Sequence, residues 1–124
     1  MRVLVTGSAG FIGHYVVEKL IKETEFEVIG LERLSYSGNM NRITDVISSD
    51  RYKSIHHNLQ SPIGDILGKQ IGEVDYIIHI AANSHVDRSI EDPLSFVMDN
   101  VVGTCNILNF ARTQKNLKMF LYFS

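Results

Sequence analysis

The chain has a single cysteine, Cys105, so no disulfide can close within it. That fits a reducing compartment, and a cytoplasmic location is expected. Cys105 itself is expected to be a small buried apolar residue on a helix. No apolar run approaches the roughly 20 residues that a membrane-spanning helix needs. The N-terminus reads as a strand entering a glycine turn rather than as a signal peptide. Twelve basic against fourteen acidic residues leave a formal charge of −2. This is too little of either sign to mark a nucleic-acid partner or an anionic membrane. No internal repeat or low-complexity segment is present. What remains is an ordinary globular composition: 124 residues, 44% of them hydrophobic, enough for one domain with a packed core.

Apolar runs alternate with helical patterns, the sequence form of a parallel α/β sheet. Strands are expected at Arg2–Thr6 (RVLVT) and at 27–31 (EVIGL), Tyr52–His56, 74–81 (VDYIIHIA) and 118–124 (KMFLYFS). Ile12, Tyr15, Val16, Leu20 and Ile21 recur at helical spacing and predict a helix over Phe11–Glu23. A second helix is predicted over 62–71, with Ser61 as N-cap and Pro62 at its first position. Residues 35–49 read as a loop through Gly38-Asn39, followed by a short helix through Ile43, Val46 and Ile47. A long helix is predicted over 94–115, capped by Asp92 and opened by Pro93. Right-handed crossovers between these strands give a Rossmann-like doubly wound sheet of order 3-2-1-4-5.

The long helix carries two apolar stripes, one through Leu94, Val97, Val101, Leu108 and Ala111, the other through Phe96, Gly103, Ile107 and Phe110. Packing on one sheet face needs only one stripe. The second implies either another contact, from further chain or a partner subunit, or a helix deeply buried within one domain.

Between the first strand and the first helix lies Thr6-Gly7-Ser8-Ala9-Gly10-Phe11-Ile12-Gly13. Gly7 allows the sharp turn, Gly10 leaves the backbone open to a pyrophosphate, and Gly13 lets helix and strand pack closely. The helix then turns its free N–H groups and positive dipole end toward the phosphates. At the end of the second strand, Glu32 suits hydrogen bonds from the adenosine ribose hydroxyls, which favours NAD because a carboxylate repels a 2′-phosphate. Arg33 beside it complicates that choice, since an arginine can accommodate the phosphate. His56, His57 and His79 lie in or beside strands with no Cys or His cluster, and His14 has no partner at ligand spacing, so no metal site is expected.

The stretches TGSAGFIG, LERLSYSGN, HIAANSHVDRSI and DNVVGT resemble the extended short-chain dehydrogenase/reductases, specifically their NAD-dependent nucleotide-sugar epimerase/dehydratase family. The segment Ser84-His85-Val86-Asp87-Arg88-Ser89-Ile90 favours the dehydratases. The resemblance runs the whole chain and implies that residues 1–124 are the N-terminal portion of an NAD-binding domain, without the substrate domain.

It also implies roles. The N–H groups of Phe11 and Ile12 lie over the pyrophosphate. Glu32, Arg33, Leu34 and Ser35 surround the ribose, and Asn58 and Leu59 meet the adenine. Ile80, Ala81, Ala82, Asn83 and Ser84 run along the cofactor, with Asp99 and Asn100 nearby. Ser84, His85 and Arg88 face a nucleotide-sugar substrate, in a loop where an Asp87–Arg88 pair is the plainer alternative. The long helix is expected to form a homodimer. Four positions depart from the family, which usually has Asp at 32, Asp at 58, Glu at 83 and Thr at 99, where this chain has Glu32, Asn58, Asn83 and Asp99.

The implied reaction oxidises the sugar at C4, expels water across C5–C6 and returns the hydride at C6. It needs a Tyr-x-x-x-Lys pair that the family carries further along the chain. Tyr15 and Lys19 have that spacing but lie on the first helix, so no catalytic residue is assigned and the chain is expected to be truncated and inactive alone. A nucleotide-sugar 4-epimerase and a non-catalytic NAD-binding or assembly module remain the alternatives.

Overall fold

The computed structural model describes residues 1–33, 40–44, 46 and 48–124. Five parallel strands lie in the order β3-β2-β1-β4-β5. They are β1 (Arg2–Thr6), β2 (Glu27–Glu32), β3 (Tyr52–His56), β4 (Tyr76–His79) and β5 (Met119–Tyr122). The order and the parallel sense are those expected from the sequence. β1 is central, with Thr6 opposite Leu31 of β2 on one side and His79 of β4 on the other.

The two-residue period of the strands divides the core into two clusters. Val3 and Val5 of β1 pack with Val17 and Ile21 of helix α1 (Phe11–Glu23), and with Ile43 and Val46. Leu4, Leu31 and Ile77 pack on the other face with Ile71 of α2 (Asp65–Ile71) and with Ile107 and Phe110. Helices therefore cover both faces, as parallel strands apolar on both sides require.

Several boundaries differ from the sequence reading. Helix α2 starts at Asp65, not at Pro62, because extended Gly64 is its N-cap and Asp65 supplies the acid of its first turn. Strands β4 and β5 are shorter at both ends than expected. The segment after β4 is not a loop: Val86–Glu91 forms helix α3. Met40–Ile43 is a 3-10 turn, with Ile43 and Val46 buried as the predicted short helix would have had them. Leu34, Ser35, Gly38, Asn39 and Ile47 lie outside the described residues.

The long helix forms with the expected cap: Asp92 accepts from the Ser95 N–H at 3.3 Å, and Pro93 opens the first turn. It is three pieces in line, α4 (Pro93–Val97), a π-helical turn (Met98–Val102) and α5 (Gly103–Thr113). Of its two stripes, Gly103, Ile107 and Phe110 are buried on the sheet. Leu94, Val97, Val101 and Leu108 are exposed, so in this chain the helix is not deeply buried within one domain. Cys105 is exposed as well, contrary to its expected burial, because it falls on the flank of α5 away from the sheet. Among the described residues no helix is long and apolar enough to cross a membrane, and no group of three potential metal ligands forms.

Candidate dinucleotide-binding cleft

A cleft of about 1180 Å³ opens at the C-terminal ends of the strands. That is where an open α/β sheet reverses its winding direction and binds ligands. Its near wall is the glycine turn. Gly7 leaves β1 at φ +71°, a conformation a side chain resists, and its N–H donates to Leu31 O at 3.0 Å. A Cβ on Gly13 would stand 1.9 Å from Gly7 O, so only glycine lets α1 start this close to the strand. Gly10, by contrast, faces open space apart from Gly7 O. No side chain caps α1 and no acid lies in its first turn. Its first amides therefore face the cleft as donors for an anion.

Glu32 ends β2 with its side chain folded inward and only 7% of the residue exposed. The carboxylate accepts from Ala9 N at 2.9 Å, which ties the acid to the glycine turn. Burial pushes its pKa up, against the lowering effect of the Ala9 and Arg33 N–H groups. On the far side of the same turn, Arg42 donates to Ala9 O at 3.2 Å.

The floor is the exit of β4. Thr6 Oγ1 accepts from both Ile80 N and Ala81 N at 3.1 Å. Having taken two donors, it gives its own proton to His79 Nδ1 at 2.6 Å. His79 is thereby the tautomer with its hydrogen on Nε2, which donates to Thr104 Oγ1 at 2.9 Å. Burial lowers the His79 pKa to about 4, so this chain of bonds holds a neutral imidazole. A Cβ on Gly7 would come within 2.9 Å of Ala81 N, so the floor and the glycine turn are in contact.

The far wall is a side-chain network centred on Asp99. Arg33 grips the Asp99 carboxylate with both terminal nitrogens, at 2.7 and 3.0 Å. Gln60 Nε2 donates to the same carboxylate at 2.5 Å and Asn83 Nδ2 at 3.1 Å. Burial raises the Asp99 pKa, but the hydrogen bonds of Arg33, Gln60 and Asn83 outweigh it, and the net shift is downward. Next to it, Asn100 accepts from Asn83 N at 2.7 Å and donates to Asn83 O at 2.8 Å. Consecutive residues of an α-helix point about 100° apart. Asp99 and Asn100 both lie on the π turn and meet different parts of Asn83, its side chain and its backbone, and such turns are frequent at functional sites.

The cleft brings together Gly7, Gly10, Phe11, Ile12, Gly13, Glu32, Arg33, Asn58, Leu59, Ile80, Ala81, Ala82, Asn83, Ser84, Arg88 and Asp99, all expected from the sequence. It leaves out two. Asn100 acts on Asn83 rather than lining the space, and His85 is the N-cap of α3, accepting from Arg88 N at 3.4 Å. His14 is partly packed, its ring against Tyr15 and its Nδ1 bonded to Gly10 O at 2.9 Å. Sequence reasoning missed Arg42, His57, Gln60 and Phe96 as lining residues. It also missed the Thr6–His79–Thr104 chain. Of these, His57 and Gln60 had a positional signal, since they flank the expected Asn58 and Leu59.

A parallel sheet of this order, with a glycine turn after β1 and a buried acid ending β2, defines a dinucleotide-binding fold of the Rossmann class. Comparison with known proteins narrows it. The family model described as GDP-mannose 4,6 dehydratase matches residues 4–124, and the chain belongs to that family. It is 40% identical over 112 residues to a dTDP-glucose 4,6-dehydratase of Escherichia coli, covering 90% of this chain and 31% of that protein. The chain thus spans about a third of the length of such relatives. Among solved structures, the DesIV dTDP-glucose 4,6-dehydratase of Streptomyces venezuelae with NAD and TYD bound superposes at TM-score 0.82 with 39% identity, over 90% of this chain and 35% of that one. A UDP-glucose 4-epimerase of Thermotoga maritima with UDP-glucose superposes at 0.83 with 27% identity, over 98% of this chain and 37% of that one.

Proposed function

We propose that this chain is the NAD-binding portion of a nucleotide-sugar dehydratase of the dTDP-glucose 4,6-dehydratase type. The observation that carries the cofactor is Glu32: a buried carboxylate bonded to Ala9 N beside an uncapped helix start. Phosphates meet the first amides of α1, and the ribose hydroxyls meet the Glu32 carboxylate. The adenine end lies toward Asn58 and Leu59, and the nicotinamide end toward Asn83 and Ser84. Bound NAD would supply a reversible hydride store. Around it, this chain's residues bind, orient and exclude water. Ser84 and Arg88 line the cleft on the side where a sugar nucleotide would enter. The choice of dehydratase over epimerase is supported by the curated dTDP-glucose dehydratases, 37% to 42% identical, against 27% to 31% for the epimerase structures, although one dTDP-glucose dehydratase structure is also only 27% identical.

Mass spectrometry of the whole protein incubated with NAD and dTDP-glucose tests this. Loss of one water from the sugar nucleotide is expected. Conversion of UDP-glucose to its 4-epimer, with unchanged mass and no water loss from dTDP-glucose, would favour the epimerase.

A further inference from the structure

Arg33 stands beside the ribose-binding acid, where an arginine would ordinarily receive a 2′-phosphate. Here both terminal nitrogens of its guanidinium are already engaged by Asp99, at 2.7 and 3.0 Å. The Asp99 side chain is only 7% exposed, and Gln60 and Asn83 hold it from two other directions. Its position therefore does not depend on Arg33. The carboxylate comes from the π turn, Gln60 from beyond β3 and Asn83 from beyond β4.

We propose that Asp99 is a specificity-determining residue that disarms Arg33, so that the cleft selects NAD over NADP by two carboxylates rather than one. Glu32 repels a 2′-phosphate directly. Asp99 withholds Arg33, the cation next in sequence to Glu32, which would otherwise compensate. A 2′-phosphate could recruit Arg33 only by breaking a half-buried bidentate pair, leaving the buried Asp99 carboxylate without its counter-charge. Removing the negative charge at position 99 alone should release the guanidinium. The identity of residue 99 then sets cofactor choice without itself touching the distinguishing phosphate. This rests on the reading that the cleft binds NAD.

The test is calorimetric titration of NAD and NADP into the wild-type chain, Asp99→Asn, Asp99→Thr, and Asp99→Asn combined with Arg33→Gln. Either single variant should raise NADP affinity relative to NAD by about tenfold or more, the scale of a charge-assisted bond to phosphate. Adding Arg33→Gln should abolish that gain. A merely structural role for Asp99 would weaken both cofactors alike and leave their ratio fixed, which overturns the proposal. A gain that survives Arg33→Gln also overturns it, by pointing to another cation such as Arg42. Should both single variants unfold, Asp99 holds the fold rather than the selectivity, and the proposal fails. Wild-type chain that binds neither cofactor defeats the underlying reading as well, an outcome distinct from NAD binding with an unchanged ratio in the variants.

Discussion

The two walls of the cleft are built from different materials. The near wall, from β1 through the glycine turn into α1, is backbone packed on backbone. Gly7 N bonds to Leu31 O, Gly13 sits against Gly7 O, and the donors offered to a ligand are amides. The far wall, from β3, β4 and the π turn, is side chain on side chain: Arg33, Gln60 and Asn83 converge on Asp99. A wall made of main chain has little freedom in its chemistry, because every peptide is the same and only close approach is required. One made of side chains can be retuned residue by residue. Gly7 and Gly13 are fixed by that close approach, whereas Asn83 and Asp99 meet only through their side chains. A glutamate at 83 would face the Asp99 carboxylate, whereas Asn83 donates to it at 3.1 Å.

That contrast sets how the walls should respond to substitution. The largest effect is expected at Gly13→Ala, whose added methyl would lie 1.9 Å from Gly7 O with only backbone able to give way. A loss of about 3 kcal/mol or more in urea unfolding is expected, or failure to fold, as for overpacking that the main chain must absorb. The matching change on the far wall, Asn83→Ala, should cost only about 1 kcal/mol, one hydrogen bond to a charged partner that keeps its other donors. Equal costs at the two sites would break the distinction.

The floor between the walls should make stability depend on pH. His79 is held neutral in the folded chain, with its pKa lowered from 6.5 to about 4 by burial. Below about 6.5 the unfolded chain takes up a proton that the folded chain refuses until about 4. The stabilisation is therefore complete above that window and lost as pH falls through it, by an amount on the order of 3 kcal/mol. His79→Gln should flatten this slope when urea midpoints are compared across the same pH range. An unchanged slope would mean that His79 is not the group responsible.

How much of this could be read in advance follows the same division. Strand order and the near wall were legible because their signals are local: RVLVT, three glycines and a helical repeat lie within Arg2–Glu23, and Glu32 ends the next strand. The far wall was not. Arg33 and Asp99 are 66 positions apart and Gln60 and Asp99 are 39 apart, and no short-range pattern marks such pairs. Asp99 and Asn100 were singled out by resemblance, but their convergence on Asn83, 16 and 17 positions away, and the π turn that carries them are not revealed by hydrophobic periodicity. The short helix Val86–Glu91 was read as a loop because it buries no residue and so leaves no apolar stripe to detect.

One further substitution bears most directly on the central claim, that Glu32 and the glycine turn together hold NAD. Glu32→Gln keeps an oxygen able to accept from Ala9 N but removes the charge that the ribose hydroxyls and a 2′-phosphate would sense. Titration of NAD and NADP into the wild-type and Glu32→Gln chains is the measurement. The wild type should bind NAD in preference to NADP, and Glu32→Gln should weaken NAD by about tenfold, the worth of a charge-assisted hydrogen bond, while narrowing the preference. A wild type that favours NADP, or a Glu32→Gln chain that binds NAD as tightly as the wild type, would contradict the account.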